Sequence, residues 1–407
     1  MAIDTSKLSE EPFTEQDHYV PVLLEEPRLF DGDMAALDHL IVGAAMRGAS
    51  DLTFSTGART RVQINGRQRV GLRRPTSATE MNAILAHLWN AEDAPSLLRQ
   101  GRALDFSYEV RIARGKRQRY RINAVGIMRG NADGIELTLR ALPETTPTLD
   151  QVAFEPELRP YTDPKSGMIV IAGATGQGKS TTMAALTRAQ IERGADGYDA
   201  RKIVDFSAPI EFDYADLFDE TSTNASIIGQ SEIGPGRNLP TFADGIRSAM
   251  RRAPQIINVG ESRDLETMSA SIEACLTGHL VQTTTHAGSV AEALRRMASV
   301  FSVEEREGRA FDLITSLQMC VVQHLIRTSD GQGRVAVREY LVFDDDVRAR
   351  FTSSRVDDWP AVVAALMETP GDHLARPLKD HARMLLSDGR ISERDAARFI
   401  PRELRAA

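Results

Sequence analysis

Eight residues of this 407-residue chain, Gly173-Ala174-Thr175-Gly176-Gln177-Gly178-Lys179-Ser180, carry the spacing G-x-x-x-x-G-K-S of a phosphate-binding loop. Its glycines let successive backbone N–H groups curl around an anion. Lys179 can reach the β- and γ-phosphates of a nucleotide, and the Ser180 hydroxyl can ligate Mg²⁺. Lysine is scarce, six against 43 arginines, so a lysine here is not background. Glu261 closes the apolar run Gln255-Ile-Ile-Asn-Val-Gly and can serve as the base or water-orienting group of a hydrolase; its bland alternative is a glutamate opening a helix. Asn258 interrupts that run. His286 follows LVQTTT, where it can sense a γ-phosphate or serve as an ordinary structural histidine. Six cations crowd residues 111–121, and period-two spacing puts Arg117, Arg119 and Arg121 on one strand face. A solvated face, a phosphate contact and a nucleic-acid patch all fit the run, although few aromatics accompany it, against single-strand binding.

These groups need elements to position them. Residues 34–48 have helical apolar spacing, and strand-like alternation at 51–55 and 60–64 leads into an Asn65-Gly66 hairpin turn before 67–72. A helix fits 77–99, and strands fit 104–112, 117–127 and 134–142, making a small α+β domain over 34–142 behind an acidic arm, 1–33. Five prolines in 143–166 read as a linker or hinge. From 167 to 351, short apolar runs alternate with helical stretches, among them 303–327 read as helical, predicting an α/β domain whose sheet is covered on both faces. Residues 352–407 read as a helical segment.

Composition excludes several classes. The chain is 42% hydrophobic and 26% charged, as in an ordinary globular protein. Ten acids against two bases in residues 1–40 account for the net charge of −8, leaving 47 of the 57 acids and 47 of the 49 bases elsewhere. That balance gives no support to sequence-specific nucleic-acid binding through a basic surface. No apolar run approaches the roughly 18–20 residues that span a bilayer. The start lacks signal-peptide order, and two cysteines make neither a disulfide framework nor a four-ligand zinc site. The expected location is the cytoplasm.

Taken together, the motifs resemble the type II/type IV secretion and pilus motor ATPases, the PilT-like branch of P-loop enzymes, over about 34–400. Ala208-Pro209-Ile210-Glu211-Phe212 resembles the family's Asp box. Val259-Gly260-Glu261-Ser262-Arg263-Asp264-Leu265-Glu266-Thr267 resembles its Walker B, and the stretch from Thr277-Gly278-His279 through Thr284-Thr285-His286 its His box. Gly48-Ala49-Ser50-Asp51-Leu52 matches the start of its N-terminal domain. Gln230-Ser231-Glu232-Ile233, with 238–247, 119–123 and 137–143, is most similar to the Dot/Icm (type IVB) ATPases and the IncI-type plasmid-transfer ATPases.

The resemblance implies a RecA-like C-terminal ATPase domain after a PAS-like N-terminal domain, using ATP and Mg²⁺. It implies ATP contacts from Gly173, Ala174, Thr175, Gly176, Gln177, Gly178, Lys179, Ser180, Thr181 and Arg140. Catalytic roles fall to Glu261, Glu211, His286, Arg119 and Arg121, the arginines entering a neighbouring subunit's site. The implied assembly is a hexamer recruited to a secretion or conjugation apparatus at the cytoplasmic face of the inner membrane. Pilus retraction or assembly, and a nucleotide-gated scaffold with little turnover, are the alternatives. One departure stands out: where the family places acids ahead of Pro-Ile-Glu, this chain has Ser207-Ala208, and Asp205 comes too early to replace the nearer one. Slow hydrolysis in isolation is the expectation.

Overall fold

A computed structural model describes the chain except for residues 1–2, 15–16, 27–33, 65–66, 114–115, 195–198, 219–223, 235–236, 332, 369–372 and 401–407. The Asn65-Gly66 turn therefore lies outside the described residues, as do residues 27–33 of the acidic arm and Arg114. The chain divides into two compact units, Met1–Glu144 and Thr145–Ala407.

The first unit contains α1 (Ala35–Met46), β1 (Ala49–Ser55), β2 (Arg59–Ile64), β3 (Arg67–Pro75), α2 (Ala78–Trp89), α3 (Ala94–Arg99), β4 (Leu104–Ala113), β5 (Lys116–Arg129) and β6 (Ala132–Ala141). Its strands form one antiparallel sheet, ordered β3-β2-β1-β6-β5-β4. The expected helix over 77–99 is two helices. Ser77 and Glu80 form a reciprocal capping box at the start of α2, and Asn90, at φ 60°, ends it in a left-handed turn before Pro95 helps open α3. The acidic head packs on this unit. Val20 N donates to Val70 O at 2.9 Å and Val70 N to His18 O at 2.8 Å. Leu8, Val20, Val22 and Leu23 join the apolar core beside Leu37 and Leu40. Gly43 makes room for them, since a Cβ there would lie 2.8 Å from the Val22 side chain.

The second unit runs β7 (Gly167–Ala172), α4 (Lys179–Arg193), β8 (Lys202–Ser207), β9 (Ile227–Glu232), α5 (Phe242–Met250), β10 (Ile256–Val259), α6 (Leu265–Leu276), β11 (Leu280–Thr285), α7 (Val290–Ala298), α8 (Arg306–Ser316), β12 (Leu317–Arg327), β13 (Arg334–Val342), α9 (Asp345–Thr352), α10 (Trp359–Glu368), β14 (Ala375–Arg376), α11 (Leu378–Ser387) and α12 (Glu393–Ala396). Its sheet order is β14-β13-β12-β7-β11-β10-β8-β9. From β12 to β9 neighbours are parallel; β13 and β14 add antiparallel. Alternate residues of β7 face opposite cores: Met168, Val170 and Ala172 pack with Met268, Leu294 and Leu313, whereas Ile169 and Ile171 pack with Leu186 and Ile191 of α4. This is the doubly covered α/β sheet expected for the P-loop domain.

Three further expectations change. The stretch 303–327 is a helix followed by β12, because its second half is a buried apolar run that must bridge β7 and β13. Periodicity alone does not separate a buried strand from a buried helix. The proline-bearing stretch is packed: Phe154 and Leu158 are buried in the core under α4. The C-terminal segment is not wholly helical, since β14 pairs with β13. Among the described residues no helix is long and apolar enough to cross a membrane.

Because Val22 is 1% exposed, truncating it removes well-packed methyl groups. Val22→Ala should cost about 1–3 kcal/mol, read as a lower urea midpoint for the first unit by hydrogen exchange of its amides. An unchanged midpoint would show that the head does not stabilise that unit.

Candidate nucleotide site

Every residue of β7 is buried, so the chain emerges into the loop at a fixed point on the C-terminal edge of the parallel strands. Gly173 turns there at φ +155°, where a Cβ would sit 2.7 Å from Gln323 O. Gly176 and Gly178 both have φ +76°, which only glycine adopts freely. α4 begins directly at Lys179, and no side chain caps its first turn, leaving backbone donors and the helix dipole for an anion. Lys179 Nζ is folded onto the loop, donating to Gly173 O at 2.9 Å and Ala174 O at 3.0 Å. Burial lowers its pKa, while the negative charges of Glu261 and Glu211 oppose the shift. Ser180 and Thr181 follow on the first turn, half-buried.

Glu261 and His286 follow β10 and β11, which are adjacent and parallel, and the structure brings them together. His286 Nε2 lies 3.2 Å from Glu261 Oε1, and His286 Nδ1 lies 3.5 Å from Lys179 Nζ. Burial, then the nearby Lys179 charge, lowers the His286 pKa; Arg296 and Arg263 act the same way and Glu261 against them. The imidazole is therefore neutral at pH 7. The Lys179 contact assigns its tautomer: Nδ1 accepts from the Lys179 ammonium, which leaves the proton on Nε2, the nitrogen nearest Glu261. Glu261 also has Arg263 Nη1 at 3.8 Å. Asn258, the interruption in the apolar run, is a buried tether: its Nδ2 donates to Thr187 Oγ1 of α4 at 2.9 Å.

In β8, Asp205 and Ser207 share a strand face. Ser207 Oγ donates to Asp205 Oδ1 at 3.1 Å, and Gln230 Nε2 to Asp205 Oδ2 at 2.8 Å. Burial raises the Asp205 pKa to about 6 against both hydrogen bonds. The acid preceding the Ser207-Ala208 departure is thus engaged inside the sheet.

Arg119, Arg121 and Arg140 belong to the first unit, away in sequence from the loop. In β5, Gln118, Tyr120 and Ile122 are buried while Arg117, Arg119 and Arg121 alternate outward. Arg117 pairs with Glu109 at 3.3 Å. Arg121 stands directly opposite Arg140 on β6, and Arg140 Nε donates to Asp51 at 2.8 Å. Like charges in opposed register repel, and Asp51 offsets the Arg140 member of this pair.

The residues fit a Mg²⁺-nucleotide. Three glycines at positive φ shape the loop, and its lysine rests on backbone carbonyls. Among the described residues no group of three or more His, Cys, Asp or Glu could hold a metal. Mg²⁺ in phosphate sites uses one or two protein oxygens together with the phosphates, which Ser180 and a nearby carboxylate can supply. Sequence reasoning missed Gln323, which donates to the loop at Gln177 O, and Arg338, which contacts Gln323; both are 1% exposed. A polar residue inside the run VVQHLI and an arginine inside RVAVREYLVF were the available signals.

The family described as Type II/IV secretion system protein matches residues 34–365. The Type IV pilus retractation ATPase PilT of Pseudomonas aeruginosa is 29% identical over 360 residues, 88% of this chain and 96% of that protein. Among solved structures, the Legionella pneumophila ATPase DotB is 36% identical with a TM-score of 0.78, covering 93% of this chain and 98% of that one. The pilus retraction motor PilT with bound ADP is 26% identical with a TM-score of 0.73, covering 90% and 97%.

The folded Asp205 binds a proton between its unfolded pKa near 3.8 and its folded value of about 6. Its contribution to stability is therefore present at low pH and lost as pH rises through that window. Asp205→Asn should gain stability relative to the parent as pH rises from about 4 to about 6, and hold that gain above it, in denaturation midpoints. A pH-independent difference would refute the raised pKa.

Proposed function

Because the chain belongs to the type II/IV secretion system protein family, we propose that it is an ATP-hydrolysing motor of a type IV secretion system, of the IVB or conjugative, plasmid-transfer kind. The observation that carries this reading is the continuous contact from Lys179 through His286 to Glu261 beside the phosphate loop. Likeness to DotB over nearly the whole chain supports the choice of system. The motor works as a homo-hexamer in the cytoplasm, recruited by partner proteins to the inner-membrane apparatus and not by DNA sequence.

Loop N–H groups from Gly173 to Thr181 bind the phosphates. Lys179 leaves its carbonyl acceptors for the β- and γ-oxygens, exchanging neutral partners for charged ones. Ser180 would hold Mg²⁺, which would supply charge neutralisation to the bound phosphates. Glu261 orients the attacking water and takes its proton, with Glu211 supporting it. His286 sits beside Glu261 before the nucleotide arrives and reports the γ-phosphate afterwards. Arg119, Arg121 and Arg140 of the adjacent subunit offset charge on the transferring group.

Ser207 in place of an acid favours a second reading, a scaffold that assembles on ATP and turns it over slowly. Phosphate release measured with and without the partner apparatus separates the two.

Lys179→Ala should abolish ATP binding. Glu261→Gln should bind ATP while turnover falls by roughly 10²–10⁴-fold; near-normal turnover would overturn the assignment. Arg121→Ala should also be inactive, yet mixing it with Glu261→Gln should restore turnover, because each intact arginine then completes an intact carboxylate in the other subunit. Failure to restore activity in mixed oligomers would refute the arrangement between subunits.

A further inference from the structure

The phosphate loop is held from below by a buried side-chain amide. Gln323 of β12 donates from Nε2 to Gln177 O at 2.6 Å. Its Oε1 accepts from Thr182 Oγ1 of α4 at 2.8 Å and from Arg338 Nε of β13 at 3.3 Å. The Gln177 side chain returns the contact, its Oε1 accepting from Leu325 N at 2.5 Å. Both glutamine side chains are thus committed to joining the loop to β12.

Arg338 decides which way the Gln323 amide faces. A guanidinium only donates, whereas the Thr182 hydroxyl can donate or accept. The amide oxygen must therefore face Arg338, which aims the NH₂ group at Gln177 O. Reversed, the amide would oppose two donors on one side and two carbonyl oxygens on the other. In a trans peptide the C=O and the following N–H point in opposite directions. Drawing Gln177 O onto Gln323 turns Gly178 N–H to the side of the loop away from β12. Arg338 also donates to Ala153 O at 2.7 Å and Val152 O at 2.9 Å and pairs with Glu155 at 3.3 Å. One guanidinium consequently fixes both the loop amide and the segment by which the chain enters the second unit.

We propose that Gln323, oriented by Arg338, is a positioning residue for nucleotide phosphate, presetting the Gly178 N–H toward the anion. The proposal rests on the nucleotide-site reading above and adds a residue that touches no ligand itself. Gln323→Glu is the sharpest variant: it keeps size and the acceptors for Thr182 and Arg338, but sets a carboxylate oxygen against Gln177 O. In the full chain, Kd for a fluorescent ATP analogue and KM for ATP should both rise about tenfold, the worth of one hydrogen bond. Turnover at saturation should stay within about threefold, because the loop binds phosphate alike in ground and transition states. Gln323→Met, which keeps volume without polarity, should give the same pattern at smaller size.

Arg338→Met is made together with Glu155→Gln, so that no buried charge is stranded, and should raise Kd in the same direction. Circular dichroism melts verify the fold of each variant. Parental Kd in folded Gln323→Glu overturns the proposal, as does loss of fold in both Gln323 variants, which would make the residue purely structural. Lys179→Ala separates the two levels: if it binds ATP like the parent, the nucleotide reading itself fails; if it alone loses binding, only the positioning role fails.

Discussion

Burying β7 on both faces and along both edges is the constraint on which the second unit depends. Its six residues lie between β11 and β12, with alternate side chains in two separate apolar cores. A strand so enclosed cannot slide by one residue without moving its side chains into the wrong core. The loop that follows therefore begins at one place, with Gly173 against the β12 backbone and α4 starting six residues later. Parallel neighbours β10 and β11 end at the same edge, so a carboxylate after one and an imidazole after the other converge beside the lysine. The site is a consequence of register.

Electrostatics then set its resting state. Lys179 is partly desolvated and shares its proton donors among backbone carbonyls and a neutral histidine. Glu261 is drawn to that histidine on one side and to Arg263 on the other. None of these contacts is a buried strong ion pair, so each can be exchanged for a phosphate contact at modest cost. The strong buried pair, Arg338 with Glu155, stands behind the loop instead. Separating it would leave a charge without a partner in the interior, which is severely destabilising. Rigid polar anchoring below the loop and exchangeable partners above it suit a site that must bind and release an anion repeatedly.

The first unit follows a different logic. Its single antiparallel sheet buries one face and exposes the other, and the outward face of β5 carries the arginines. The acidic head completes its core through Leu8, Val20, Val22 and Leu23. The excess charge of the chain is thus carried by a segment whose apolar residues are structural.

Much of this was legible in the sequence because local physics governs it. The glycines at 173, 176 and 178, the lysine after them, the helix to Arg193 and the alternation of β5 each depend on residues within a few positions. The carboxylate Glu261 was readable as the end of a buried strand. What required the tertiary structure were choices between conformations that the same local pattern permits. Residues 317–327 became a strand because β7 and β13 needed a partner between them. The helix expected over 77–99 broke at Asn90 through a left-handed turn. His286 gained its partners from contacts with Lys179 and Glu261, the lysine 107 positions away in the chain. Asp205, Gln323 and Arg338 carried no motif, since burial and hydrogen-bond direction are properties of the packed neighbourhood. The chain's local pattern was enough to propose phosphate chemistry and to set most of the element order; the packed sheet settled which distant side chains lie beside the loop, because only there do burial and donor direction exist.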